Sequence, residues 1–324
     1  MSERCQTPSE GMTPLFFECA AACCTVSETA VKFKKCLPVA CAFMAVSVMA
    51  QANSYTLEKN ASITDQGYTV SQLSGEGALS FSNVLLTALN LASVKLSAVE
   101  PATVAFNTST SSTGIVRYVN GSVSAKAPVT SITGSFDGTT VNVTGVQTSG
   151  GSLQTVTTSQ ATLGPGSLSI SNLRVDLSRY TAGTTASIDI YADLSGGNGF
   201  APLSNYRLWT ADTLTGPTTF TVNGAPQLFS ATNTLSGIFL ANATDIDNIF
   251  VKALNLNNTG RSGINSVNNR TLTNVDGFGR ITSTISAFAQ PVAAPVPEPS
   301  TLAMLSLGLV GIAAVGSVRR RAQP

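Results

Sequence analysis

Residues Leu168–Leu177 read Leu-Ser-Ile-Ser-Asn-Leu-Arg-Val-Asp-Leu, and this near-strict alternation of apolar and polar side chains restricts the fold more than any other feature of the chain. A period of two is that of a β-strand with one buried face. Leu168, Ile170, Val175 and Leu177 are the expected inward residues, and Thr185–Leu194 is the expected partner strand across a Tyr180–Thr184 turn. Ile132–Phe136, Asp137-Gly138 and Thr139–Val143 form strand, turn and strand, and Asp-Gly favours a two-residue type I′ turn because both central residues need positive φ. Ile115–Val119, Asn120-Gly121 and Ser122–Lys126 repeat that arrangement. Thr218–Val222 runs into Asn223-Gly224, although Pro226 weakens a second strand. Short strands with turn signals at roughly eight- to twelve-residue spacing predict a mainly β, antiparallel sandwich or barrel-like domain.

Two segments read as helices. Ser82–Ala98 carries Val84, Leu85, Ala88, Leu89, Ala92 and Leu96 near a 3.6-residue period and ends before Pro101. Thr244–Leu256 begins with Thr244 as a cap and has Asp245 and Asp247 where a helix N-terminus favours acids. Asn83–Leu91 and Asn248–Leu256 share a phrase, and each follows a Leu-Ser-Gly, at Leu73–Gly75 and Leu235–Gly237. An old duplication and a chance likeness of two amphipathic segments both account for it. Asn257–Asn274, rich in Asn, Gly and Arg, reads as loop, and Val275–Ala289 as a last strand region around Asp276-Gly277. Residues 290–297, with prolines at 291, 295 and 297, read as an extended linker.

The two ends carry targeting signals. Lys32, Lys34 and Lys35 precede the apolar stretch Leu37–Met49, which is too short for a stable membrane span. Ala50-Gln51-Ala52 then fits the small-x-small rule, so residues 31–52 read as a signal peptide cleaved before Asn53. Residues 1–30 hold Glu3, Glu10, Glu18 and Glu28, which do not suit a segment ahead of an export signal. A start at Val31 on a GTG codon is the expectation, with a genuine extended signal sequence as the alternative. At the other end the stretch 300–318 contains no charged side chain and is followed by Arg319, Arg320 and Arg321. As a helix it spans roughly 28 Å, close to the hydrocarbon thickness of a bilayer. The arginines predict a cytoplasmic C-terminus. Pro297 and Pro299 suit a helix start and not its interior.

Val296–Arg321 resembles the PEP-CTERM sorting signal of Gram-negative bacteria, with Pro297, Glu298 and Pro299 at the motif positions and Arg319–Arg321 at the basic cluster. The resemblance implies recognition and cleavage near the motif by an exosortase-like membrane protease, transient anchoring, and association with exopolysaccharide production. It covers the tail alone and leaves residues 53–289 to be read on their own chemistry.

That chemistry is sparse. The chain has no histidine, which removes Ser-His-Asp and Cys-His catalysis and most transition-metal sites. Its six cysteines all precede Asn53, so the exported part has no disulfide; a zinc site in the Cys19, Cys23, Cys24 cluster is not expected without histidine. Between residues 53 and 295 the eleven Lys/Arg and twelve Asp/Glu nearly cancel with no basic patch, so nucleic acid is not an expected partner. A paired-carboxylate glycosidase needs only Asp and Glu, yet no pair motif stands out, and Asp176 and Asp189 read as outward strand residues. Asp245-x-Asp247-Asn248 offers oxygen ligands for Ca²⁺ without the rest of the loop, and reads better as a helix start. Trp209, the only tryptophan, reads as core, with sugar stacking beside Tyr206 as the alternative.

The expectation is therefore a non-enzymatic, cofactor-free exported protein of the cell surface or matrix, sorted by its tail and associated with exopolysaccharide. The alternatives are a carbohydrate-binding or adhesin module and, more remotely, a carboxylate glycosidase.

Overall fold

The computed structural model describes residues 53–112, 114–181, 188–293 and Met304. From the N-terminal side the elements are β1 (Asn53–Glu58), β2 (Ser62–Asp65), β3 (Tyr68–Phe81), α1 (Asn83–Leu91), β4 (Lys95–Val99) and β5 (Thr103–Ala105). There follow β6 (Thr108–Thr110), β7 (Val116–Tyr118), β8 (Ser124–Phe136), β9 (Thr140–Thr148), β10 (Gly151–Val156), β11 (Gly166–Asp176) and β12 (Ile188–Gly196). The last are β13 (Leu203–Thr215), β14 (Thr219–Thr221), β15 (Gln227–Leu240), a π-helical turn (Ile246–Val251), α2 (Lys252–Leu254), α3 (Asn258–Asn268) and β16 (Gly279–Pro291).

Eight strands pair antiparallel in the order β9–β8–β3–β16–β15–β13–β12–β11, and β11 pairs back onto β9. The sheet thus closes on itself as a barrel, which removes its edges. Closure joins distant parts of the chain: β16 lies between β15 and β3, so the last strand seals the wall beside one of the first. The register in β11 depends on one residue. Asn172 adopts φ 52° and a bulge falls between Ser171 and Arg174. The Asn172 Nδ2 donates to Asp193 Oδ2 at 2.9 Å, and its Oδ1 accepts from the Gly150 N–H at 3.0 Å. The extra residue restores inward facing to Val175 and Leu177 after Leu168 and Ile170, which a strict alternation would not allow.

The helices gather at one end of the barrel, where α1 follows β3 and the π-helical turn follows β15. There α3 packs on α1, and α2 packs on β10, β11 and β12. Ser82 caps α1 by accepting from the Leu85 N–H at 3.1 Å, and its hydroxyl donates to the Gly277 carbonyl. The largest hydrophobic cluster joins this helical plug to the inner faces of β11, β12 and β13 through Leu86, Ile190, Leu254 and Val267. Two smaller clusters lie apart from it, around Leu57, Val129 and Ile132 and around Phe136, Val141 and Ala289.

At the other end a short strap crosses the barrel. Ring order puts β9 on the side opposite β13 and β15. The chain leaves β13, pairs as β14 with β9, and returns to β15. Val143 N–H donates to the Thr218 carbonyl at 2.8 Å and Val222 N–H to the Thr139 carbonyl at 2.7 Å, fixing the strap at both ends of β14.

Several expectations are corrected. Ser122–Lys126 does not fold back on Ile115–Val119: β7 pairs with β6, and Ser124–Lys126 pairs with β3 and β5. The Asp137-Gly138 connection is a longer loop, with Phe136 opposite Val141; Asp137 Oδ1 accepts from the Thr139 and Thr140 N–H groups at 2.9 and 2.6 Å, so the aspartate organises an Asx turn in place of a type I′ turn. The first helix stops at Leu91, because Ser93 takes φ 53° and Lys95–Val99 is drawn into the sheet against β10. Asn257–Asn274 is not all loop, since α3 occupies Asn258–Asn268 behind the Asn257 cap. The two related phrases differ in form: Asn83–Leu91 is one α-helix, and Asn248–Leu256 is mostly π turn and α2. The first residues of the expected linker belong to β16. Leu168–Asp176 does pair with Ile188–Gly196 as expected.

Candidate functional site

The residues singled out for sorting lie outside the described part of the chain: Ala50 and Ala52, Pro297, Glu298 and Pro299, and Arg319, Arg320 and Arg321. Asn53 is the first residue of β1. Of the apolar stretch only Met304 is described, and among the described residues no helix is long and apolar enough to cross a membrane.

Within the domain, the acids are dispersed into ion pairs and turns. Asp176 and Asp189 stand directly opposite each other on β11 and β12. Such proximity would suit a glycosidase only with a cleft and an acid able to keep its proton. Burial raises the Asp176 pKa, but hydrogen bonds from the Ser178 hydroxyl and N–H and from Arg174 outweigh it, so the net shift is downward. Asp189, 3% exposed, is clamped by Arg179 and by Arg207, whose Nε and Nη2 reach Oδ1 at 2.7 and 2.6 Å. It faces outward as expected but is buried under these guanidinium groups, which pattern alone did not reveal. Arg174 also stacks on Tyr191, 4.0 Å from the ring centroid. Asp247 forms a two-pronged pair with Arg261 at 2.6 and 2.7 Å, while Asp245 accepts from Tyr206 Oη at 2.8 Å. The proposed Ca²⁺ ligands thus have separate partners, and no cluster of three potential metal-binding side chains occurs among the described residues.

Trp209 is 3% exposed and packs on Phe278 with centroids 5.6 Å apart, so it offers no stacking platform to a sugar in solution. It faces inward, where the barrel contains a cavity of about 120 Å³. The reason for the space is legible in the registers. Ala127, Gly77, Ser283 and Asn233 stand side by side on four adjacent strands, forming a row of small and polar residues. The next row toward the helices is bulkier, with Ala125, Leu79, Ile281 and Leu235. Strap residues Pro217, Thr218 and Phe220 line the cavity from the far end. Among the described residues no Asp or Glu lines it, and Lys126 is the one charged residue that does. Four polar atoms at this wall, Tyr55 Oη, Trp209 Nε1, Asn233 Oδ1 and Ser283 Oγ, have no hydrogen-bond partner among the described residues. Burial pushes the Tyr55 phenol up to about 12, so it stays a neutral hydroxyl. The sequence signal for this site was the small residue on an inward strand position, visible only once the strand neighbours are known.

The outer wall has different chemistry. On β13, β15 and β16 the outward hydroxyls pair across strands: Thr213 with Ser236 at 2.6 Å, Thr232 with Thr284 at 3.1 Å, Thr234 with Thr282 at 3.4 Å and Ser230 with Ser286 at 3.1 Å. These pairs make a neutral, ordered, hydrogen-bonding face.

Comparison with protein-family models matches residues 295–321 to the PEP-CTERM protein-sorting motif. This motif implies export and membrane-transit sorting with processing by exosortase. No match emerged among curated proteins or among solved structures.

Proposed function

We propose that the protein is a non-catalytic component of the cell surface or extracellular matrix, carried out by an N-terminal signal, held briefly by its apolar tail with the C-terminus in the cytoplasm, and released near Pro297. The observation that carries this reading is the sorting motif at residues 295–321. The domain's chemistry supports it: Asp189, Asp247, Asp212 and Asp276 are held in ion pairs, and among the described residues no carboxylate lines the interior. Association with exopolysaccharide is supported by the neutral hydroxyl pairs of β13, β15 and β16, which can exchange hydrogen bonds with a polyol without displacing counter-ions. A stacking adhesin is less favoured, since Trp209 is buried.

The test is the mature protein's ends. Mass spectrometry of released material should give Asn53 at the N-terminus and an end close to Pro297. Released protein that still carries Arg319–Arg321 would contradict processing. Neutral replacements of the three arginines should leave the protein mis-sorted, and unchanged localisation would count against their role. Binding of the exported domain to the producing cell's polysaccharide on a glycan array tests the association separately.

A further inference from the structure

We propose that the barrel interior is a binding site for a small, uncharged amphiphile: a short hydrocarbon chain or single ring carrying one neutral hydrogen-bonding group, such as an alcohol. This goes beyond sorting, which concerns only the tail.

The cavity has the required size and wall. Its volume of about 120 Å³ approaches the roughly 150 Å³ at which an apolar protein cavity takes up benzene. An eight-stranded barrel has an interior that side chains either fill or leave open for one small ligand. Here the three hydrophobic clusters do not merge across the middle, where the row Ala127, Gly77, Ser283, Asn233 recedes. A Cβ built on Gly77 would rest in ordinary contact with the Thr148 methyl at 3.5 Å, so the missing side chain leaves room for a carbon there that no neighbour fills.

The polar atoms select the class. A wholly apolar cavity would take a hydrocarbon, but a buried polar atom without a partner costs about 1–3 kcal/mol. Asn233 and Ser283 are direct cross-strand partners on the inner wall, and Oδ1 of one and Oγ of the other are each buried without a partner among the described residues. A hydroxyl can donate to Asn233 Oδ1 or accept from Ser283 Oγ. Trp209 Nε1, on a side chain 3% exposed, supplies a further donor at the helical end, and Tyr55 Oη a neutral one at the other. A carboxylate is disfavoured, because Lys126, the one cationic residue among those lining the wall, turns its side chain outward into a pair with Glu76 at 3.0 Å and leaves no cation inside to meet it. The strap covers the end away from the helices: Phe220 lines the cavity and packs on Phe229 at 5.5 Å, and β14 is a three-residue strand.

Trp209 is the chain's single tryptophan and lines the cavity, so its fluorescence reads occupancy. With the full chain in lipid nanodiscs, 6-bromohexan-1-ol should quench Trp209 saturably through its heavy atom, whereas bromide ion and 6-bromohexanoate should not. Asn233→Ala should weaken the alcohol about five-fold, the order of one neutral hydrogen bond. Ala127→Ile and Ser283→Leu, which fill the space, should abolish saturable quenching while the emission maximum and melting curve show a folded barrel. Because a filled variant can fail to fold, the unaltered protein supplies a second reading: hexan-1-ol should raise its melting temperature, and hexanoate should not. No saturable quenching with no thermal shift, saturation that survives in a folded filled variant, or equal response to alcohol and carboxylate would each overturn the proposal.

Discussion

Asp189 is the residue whose surroundings matter most to the outer wall. It is 3% exposed, while the Arg179 and Arg207 side chains that pair with it are 71% and 39% exposed. The charges are therefore unequal in their need of each other. Replacing both arginines with methionine strands a buried carboxylate and should cost about 3–5 kcal/mol in urea unfolding. Asp189→Asn leaves two guanidinium groups that water can reach, and should cost roughly half as much or less. Asp245 behaves differently. Burial holds its carboxyl above the usual carboxylate range, against hydrogen bonds from Tyr206 and Asn242 that favour the ionised form. The folded state thus holds this proton more tightly than the unfolded chain. The site's contribution is fully present below the unfolded value of about 4 and is lost as pH rises through the folded one. Asp245→Asn should therefore gain on the parent as pH rises above the unfolded value of about 4; a pH-independent difference in unfolding midpoint would refute the assignment.

At the scale of elements, α3 shows why composition misleads. Asn258–Asn268 is rich in Asn, Ser and Gly, residues with poor helix propensity, and propensity alone reads it as loop. Two things override that. Asn257 Oδ1 accepts from the Thr259 and Gly260 N–H groups at 2.9 and 3.2 Å, and Ile264 and Val267 are buried on the helical plug. Gly260 is required by close approach, since a Cβ there would lie 2.4 Å from the Ala161 carbonyl oxygen. Asn257→Ala should cost about 1 kcal/mol. Ser82→Ala should cost more, about 1–2 kcal/mol, because it removes the α1 cap and also orphans the Gly277 carbonyl. Equal losses at the two positions, measured by urea unfolding, would show that the Ser82–Gly277 bond contributes nothing. Strand pairs behaved better than helices: Leu168–Asp176 with Ile188–Gly196 was legible because alternation and proximity in sequence agreed. The Ile115–Lys126 hairpin was not, because Asn90 and Tyr118 tie β7 to α1. Asn90 Nδ2 donates to the Tyr118 carbonyl at 3.1 Å and Oδ1 accepts from its N–H at 2.7 Å.

For the whole molecule, closure and release are compatible. The sealing strand ends at Pro291, short of the Pro297–Pro299 motif, so a cut near the motif leaves the ring intact. A chain ending at residue 293 should melt as the longer protein does. One ending at residue 278 loses β16, exposes the edges of β15 and β3, and should lose its cooperative transition in calorimetry. Retention of a sharp transition without β16 would show that the ring is not the folding unit.

The sequence by itself determined the sorting signal and the material. A sorting motif needs only local order of residues, so Pro297, Glu298, Pro299 and Arg319–Arg321 were readable without a structure, and the match at residues 295–321 agrees. The strand-forming character of the domain was local too, because alternation is a property of neighbouring residues. Closure, the strap and the cavity were decided only in three dimensions. Gly77, Ser283 and Asn233 lie far apart along the chain, and nothing in their own surroundings marks them. They become one recess because the pairing of β3, β16 and β15 brings them into one row, and a cavity is a property of what several distant strands fail to fill.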